Sequence, residues 1–118
     1  MLKTAIPILA SLNGAETIKF YTEKLGFTLH SNWDGYLLFS RDGVEIHLSP
    51  CDDPEIAKNT GCYLNVTGID KLYEEYKPHN ILHPDGDIED KPWEPRQFSI
   101  LDNNGNLIHF GQGIGDNA

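Results

Sequence analysis

The sequence predicts an α+β fold built from two βαβββ units, and two observations lead to this prediction. The first is an internal repeat, because residues 42–48 read Asp-Gly-Val-Glu-Ile-His-Leu and residues 104–110 read Asn-Gly-Asn-Leu-Ile-His-Phe. The second is a helical segment upstream of each copy, reading Phe-Tyr-Thr-Glu at 20–23 and Leu-Tyr-Glu-Glu at 72–75. A repeat of this kind in 118 residues indicates two copies of one supersecondary unit within a single domain.

Unit one, about residues 1–50, shows its elements in order. An apolar stretch at 5–10 predicts the first strand. Asn13 is a favourable helix N-cap with Glu16 three residues later, and Gly26 is placed to end the helix. Turn-forming residues then separate three short strands, predicted near residues 27–32, 36–41 and 44–49.

Unit two, about residues 62–112, follows a polar connector at 51–61. The pattern predicts a strand at 62–66 and a helix at 69–77. The stretch 78–96 is rich in Pro, Asp and Gly, which predicts a loop with one weak strand. Two strands, at 97–102 and 106–111, complete the second copy.

Charge and composition narrow the class of partner. Nine basic and eighteen acidic residues give a formal net charge of −9. This sign argues against nucleic acid as a partner, because affinity for a phosphate backbone depends on cationic side chains. It favours a cationic ligand, or it simply keeps the protein soluble.

The cysteines and the N-terminus predict a cytoplasmic protein. Cys51 and Cys62 form no recognised ligand or redox spacing, so we expect them to be reduced. Pro7 interrupts the N-terminal apolar stretch, which we therefore interpret as a strand and not as a signal peptide. No stretch approaches the length that spans a bilayer, so we expect no membrane partner.

Strand alternation assigns side chains to faces. In the fourth strand, Val44, Ile46 and Leu48 fall on one side, which we expect to lie under the helix. The opposite faces would line a cleft between the two units. That set is mixed polar and aromatic: Glu45, His47, Ser49, Tyr63, Asn65 and His109.

Paired βαβββ units are the architecture of the vicinal oxygen chelate superfamily, and the chain resembles its bleomycin resistance proteins over nearly its whole length. The most discriminating stretch is Lys91-Pro92-Trp93 with Arg96-Gln97-Phe98, which is similar to a family signature close to Gln-Pro-Trp-Gly…Arg-Glu-Phe. The resemblance implies an acidic homodimer with exchanged first strands. It also implies a non-enzymatic role, namely binding the basic glycopeptide bleomycin in clefts at the dimer interface and sequestering it from DNA.

The resemblance also implies site residues. Trp93 and Tyr63 match aromatic positions that stack on the flat part of the ligand, and Ser49 matches a cleft serine. For a further aromatic position, a gap-free alignment gives Ser31 and a two-residue shift gives Trp33. Together with the strand residues assigned above, the expected ligand-binding set is Trp93, Tyr63, Trp33, Ser49, His47, Asn65 and His109. We expect no catalytic residue, no cofactor and no metal.

A second hypothesis is a metal-dependent enzyme of the same superfamily, of the lyase, isomerase or dioxygenase type, using His47 and His109. The corresponding metal positions are Ile8 or its neighbour, His47, Tyr63 and His109. Two imidazoles without a third strong ligand make a poor divalent site, although Glu45 lies beside His47. Three roles are therefore open for the two histidines: metal ligands, donors to a bound ligand, or hydrogen-bonded strand residues.

Two further predictions concern residues in the predicted turns and loops. Arg96 is either a structural partner of the acidic stretch 85–90, or that stretch meets a cationic ligand. His30, His79 and His83 fall in turn or loop contexts, and we expect them to be solvated.

Overall fold

The computed structural model describes residues 1–90 and 96–113, and every structural statement below concerns those residues. The signature residue Trp93 lies outside them. The chain divides into two compact units, Met1–Thr60 with Asn103–Asn106, and Gly61–Asp102 with Leu107–Ala118. Each unit is described by itself.

Unit one is a four-stranded sheet with a helical segment after its first strand. The strand order is β1-β4-β3-β2, with β1 parallel to β4 and the other pairs antiparallel. Here β1 pairs with β4 of its own chain, and exchange of first strands between subunits stays a prediction. The elements are β1 (Ile8–Ser11), α1 (Gly14–Lys19), a π-helical segment (Phe20–Lys24), β2 (Thr28–Trp33), β3 (Tyr36–Arg41), β4 (Val44–Pro50) and α2 (Pro54–Lys58).

The first helix begins as predicted but changes type halfway. The side chain of Asn13 accepts a hydrogen bond from the backbone N–H of Glu16 at 3.0 Å, which confirms the N-cap. From Phe20 onward the helix is π-helical, and the N–H of Leu25 donates to the carbonyl of Phe20 at 3.2 Å. This widened turn differs from the regular helix expected from spacing, and it allows the adjacent Phe20 and Tyr21 both to be buried.

Both hairpins of unit one turn at pairs that the sequence marks. Asp34 and Gly35 have φ angles of 51° and 94°, and Asp42 and Gly43 have 53° and 81°. Positive φ at both central residues is the backbone form that matches the twist of the flanking strands. The hairpins therefore fix which side chains of β2, β3 and β4 share a face.

Unit two repeats the plan with one strand fewer among the residues described. Its elements are β5 (Gly61–Asn65), α3 (Ile69–Tyr76), a 3₁₀ turn (Lys77–His79), β6 (Arg96–Leu101) and β7 (Leu107–Gln112). The order is β5-β7-β6, with β5 parallel to β7. The weak strand expected in 78–96 is reduced to two isolated bridges, Leu82 to Ile100 and Glu89 to Gln97. Pro84 and a turn closed by Gly86 N–H to the His83 carbonyl at 2.8 Å interrupt it.

The cores confirm the predicted faces except at Val44, which is exposed because it is the first residue of β4, directly after the Asp42-Gly43 turn. Ile46 and Leu48 are fully buried in unit one, and Ile108 and Phe110 are buried in unit two. In unit two, Phe98 stacks on Phe110 with ring centroids 4.9 Å apart. The other side of each sheet is partly accessible, as at Glu45 in unit one and Tyr63 in unit two. No helix in the described part of the chain is long and apolar enough to cross a membrane.

Candidate functional site

We call the accessible side of the unit-one sheet face one. It lies opposite the side on which Phe39 and Ile46 are buried. The strand register places Ile8 beside His47, and His47 beside Leu38. Alternation along the strands then puts these side chains on one surface: Ile8, Trp33, Tyr36, Leu38, Ser40, Glu45, His47 and Ser49.

A chain of hydrogen bonds occupies the middle of face one. The hydroxyl of Tyr36 lies 2.9 Å from Nδ1 of His47, and Nε2 of His47 lies 3.0 Å from a carboxylate oxygen of Glu45. The rings of Tyr36 and His47 meet edge to face, with centroids 5.4 Å apart. The His47 side chain is only 17% exposed, whereas that of Glu45 is 42% exposed. Both nitrogens of His47 are therefore engaged, and the carboxylate reaches solvent.

Trp33 ends β2 and is 81% exposed, directly across the hairpin from Tyr36. Ser31, the other candidate for the aromatic position, lies two residues before Trp33 in β2 and pairs with Leu38. A shift of two residues keeps a side chain on the same face of a sheet. Both alignments therefore point to face one, and of the two residues Trp33 is the aromatic one.

We call the accessible side of the unit-two sheet face two. It lies opposite Phe98 and Phe110. Tyr63 is 41% exposed and lies beside His109, with ring centroids 6.4 Å apart and planes inclined by 34°. Its ring crosses over Gly111, where an added Cβ would come within 1.7 Å of the Tyr63 hydroxyl. Asn65 follows on the same strand face and is exposed.

His109 is held by two polar side chains from β6. Its Nδ1 lies 2.7 Å from the Ser99 hydroxyl and 3.4 Å from the Gln97 amide nitrogen. Ser99 is buried and His109 is partly exposed, so this contact is shielded from solvent on the Ser99 side. Neither Ser99 nor Gln97 was among the predicted ligand-binding residues, although Gln97 belongs to the signature stretch and both alternate with the buried Phe98, which places them on face two.

Unit two also contains a cavity of about 220 Å³ beside His109. The segment 83–87 forms one wall, because Gly86 lets it approach β6 closely and Ser99 N–H donates to the Gly86 carbonyl at 2.9 Å. His83 lies in a loop as predicted, is partly exposed, and accepts the N–H of Asp85 at its Nδ1 at 3.0 Å. The lining residues are His83, Asp85, Gly86, Asp87, Gln97, Phe98, Ser99, Leu107 and His109.

Two charged groups near this cavity have defined partners. The hydroxyl of Tyr73 donates to Asp87 at 2.5 Å, and this bond lowers the pKa of Asp87 and raises the pKa of Tyr73. Arg96 bonds Asp70 at 2.9 Å and Asp90 at 3.2 Å, and the bond to Asp70 is the main cause of its raised pKa. Arg96 is therefore a partner of the acidic stretch, which confirms the first of the two alternatives.

Comparison with known proteins identifies the family. The model of the Glyoxalase/Bleomycin resistance protein/Dioxygenase superfamily matches residues 9–110. The chain belongs to this superfamily. Bleomycin resistance proteins from Geobacillus stearothermophilus and Staphylococcus aureus are each 38% identical to it over 127 residues, covering 93% of this chain and 96% of the relative. Within the superfamily, the chain is thus a member of the bleomycin resistance proteins, as the resemblance indicated.

Solved structures confirm the α+β fold of two βαβββ-like sheets. A bleomycin-binding protein from Streptomyces verticillus, complexed with copper(II)-bleomycin, aligns with a TM-score of 0.82 and 25% identity. The bleomycin resistance determinant encoded on the transposon Tn5 aligns with a TM-score of 0.83 and 22% identity. Each alignment covers 96% of this chain and 99% of the other.

Neither face by itself offers the donor set of a divalent metal centre. The strand neighbours of His47 and His109 are Ile8, which has no donor atom, and Tyr63, a phenol. A divalent catalytic centre usually takes three strong protein ligands. In residues 1–90 and 96–113, no three His, Cys, Asp or Glu side chains lie close enough together to hold a metal ion.

His30 is exposed as expected, but it lies in a strand and not in a turn. It is the extra residue of a bulge in β2 between Leu29 and Ser31, and its Nε2 lies 2.5 Å from the Ser40 hydroxyl. Ser40 is the strand partner of Glu45. This contact therefore extends the polar part of face one to the edge of the sheet.

Proposed function

We propose that this protein binds a bleomycin-type cationic small molecule and sequesters it without changing it chemically. The observation that carries the proposal is the 38% identity to bleomycin resistance proteins over 93% of this chain. The net charge of −9 supports it, because an acidic protein attracts a cationic ligand. Sequestration requires a surface that binds the ligand without reacting with it. The aromatic and hydrogen-bonding side chains of face one and face two are suited to such binding.

The proposed contacts follow from the two faces. Trp33 and Tyr63 offer exposed aromatic rings for stacking, and Trp93, outside the described residues, is proposed as a further stacking face. Polar contacts are proposed for four side chains: His47 and Ser49 on face one, and Asn65 and His109 on face two. Metal-dependent catalysis through the two histidines is disfavoured by the donor groups around them.

We further propose that the binding clefts lie at the interface of a cytoplasmic homodimer with exchanged first strands. The support is that β1 is a four-residue edge strand whose Ile8 is 59% exposed in a single chain. Such an edge is stabilised when another chain covers it. Light scattering at micromolar concentration should give twice the mass of the chain, and a monomer mass would overturn the dimer.

Calorimetric titration with metal-free bleomycin tests the proposed function. We expect one ligand per chain and the same affinity in the presence of a chelator or of added divalent metal. The recovered ligand should have an unchanged mass. Absence of binding at micromolar concentrations, or a mass change that requires the protein and a metal, would overturn the proposal.

A further inference from the structure

The hydrogen-bonded chain on face one has proton positions that follow from the chemistry of its members. The ionised carboxylate of Glu45 can only accept, so Nε2 of His47 donates to it across 3.0 Å. A neutral imidazole carries a single N–H, which leaves Nδ1 as an acceptor. The hydroxyl of Tyr36, 2.9 Å from Nδ1, must therefore donate its proton inward.

This arrangement leaves only acceptors facing solvent. The Tyr36 hydroxyl has used its proton, so its oxygen lone pairs remain. The Glu45 carboxylate keeps its second oxygen, and its side chain is 42% exposed. Fixing both nitrogens of a histidine that is only 17% exposed also holds the carboxylate in one place, unlike a mobile surface ion pair.

We propose that Glu45 recognises a cation that carries N–H groups, such as an ammonium, amidinium or guanidinium. His47 and Tyr36 are positioning residues, because they act through Glu45. The inference rests on the proposed function, since it names the part of a cationic ligand that face one binds. A cation without N–H groups would gain only the charge interaction and would bind less tightly.

A matched pair of probes tests the inference. Benzylammonium and benzyltrimethylammonium share a ring and a charge, but only the first has N–H groups. In NMR titrations at pH 8, we expect the wild type to bind benzylammonium about tenfold more tightly or better, the range of a charge-assisted hydrogen bond. Glu45→Gln should abolish this preference, Tyr36→Phe should reduce it, and the exposed control Glu23→Gln should keep it.

The positioning role of His47 is tested by substitution at constant pH. His47→Phe keeps a ring but can hold neither Glu45 nor Tyr36, so it should reduce the preference for benzylammonium, and His30→Gln should keep it. His47→Gln, whose amide can still donate to Glu45, should restore part of the lost preference. An unchanged preference in His47→Phe would contradict the role of His47.

Equal binding of the two probes by the wild type, including no binding of either, would overturn the inference whatever the variants do. A parallel bleomycin titration separates it from the proposed function. If bleomycin does not bind but Glu45→Gln abolishes the probe preference, the inference stands and the proposed function fails. If bleomycin binds wild type and Glu45→Gln equally and the probes bind alike, the inference fails and the function stands.

Discussion

At the scale of single residues, Gly111 has a specific role: it leaves space for the ring of Tyr63. A Cβ at position 111 would lie 1.7 Å from the Tyr63 hydroxyl and 2.5 Å from Cζ, so the ring would have to move. That ring is 41% exposed, so displacing it should cost little stability. We expect Gly111→Ala to weaken bleomycin binding by roughly two- to tenfold, the range for loss of one aromatic contact, with little change in melting temperature.

Gly61 provides the matched control for this substitution. It lies on β5 like Tyr63, but an added Cβ would meet the backbone oxygen of Leu107 at 2.2 Å. Backbone in a parallel strand pair cannot move aside cheaply, so Gly61→Ala should lower the melting temperature. If Gly111→Ala lowered the melting temperature as much and left the dissociation constant unchanged, Tyr63 would have no role as a stacking face.

Cys62 gives a residue-scale prediction about pH. Burial, and secondarily the charge of Asp102, raises the pKa of its thiol to about 11. Because the folded protein holds this proton more tightly than the unfolded chain does, its contribution to stability is lost as the pH rises between about 9 and 11. Alkylation of Cys62, followed by peptide mass spectrometry, should speed up about tenfold per pH unit from pH 8 to 10. Chain unfolded in urea is the control, and equal rates in the two states would contradict this.

The side chains on the two faces could be predicted from sequence only in part. Alternation assigned His47, Glu45, Tyr63 and His109 correctly, because β4, β5 and β7 are regular strands. The partners of these residues could not be predicted in the same way. Tyr36 reaches His47 from a neighbouring strand, and such a contact depends on register, which the hairpin turns set.

At the scale of elements, Asn106 fixes the outer edge of β1. Its Nδ2 donates to the Ala10 carbonyl at 2.8 Å, and its Oδ1 accepts the Ala10 N–H at 3.4 Å. The same Oδ1 also accepts the hydroxyl of Thr60 at 2.5 Å. Asn106 is fully buried, so Asn106→Ala should leave these groups unsatisfied and lower the free energy of unfolding by about 2 kcal/mol.

Urea denaturation measures this cost, and hydrogen exchange locates it. Amides of β1 and β4 should lose protection first in Asn106→Ala. The exposed Asn65→Ala is the control, since removing a solvated amide should change the free energy of unfolding by less than about 0.5 kcal/mol. Equal stability of the two variants would show that Asn106 does not hold β1.

The elements that sequence analysis missed share a physical cause. The π-helical segment at Phe20–Lys24 coincides with burial of two adjacent aromatic residues, a pattern that a regular helical period does not describe. The second strand of unit two is broken into bridges because 83–87 turns back against β6. Both depend on tertiary packing, whereas the strands and hairpins that were predicted depend on local pattern.

At the scale of the whole molecule, the internal repeat bears on the fold and the net charge bears on the class of ligand. The repeat predicted the α+β fold because each copy has to bury the same apolar strand face.

The net charge of −9 leads to a prediction about salt. If it helps to attract a cationic ligand, raising salt from 0.05 to 0.5 M should weaken bleomycin binding several-fold, measured by calorimetry. An affinity independent of salt would assign the charge to solubility alone.

The measurement that tests sequestration most directly is a titration of protein into a bleomycin-dependent DNA nicking assay. A protein that only binds the drug must protect DNA stoichiometrically, so we expect nicking to fall linearly and to end near one chain per drug molecule. Protection should be lost when bleomycin is added beyond that ratio. Complete protection by far less than one chain per drug would show turnover and contradict the binding function, and nicking unaffected by excess protein would contradict it equally.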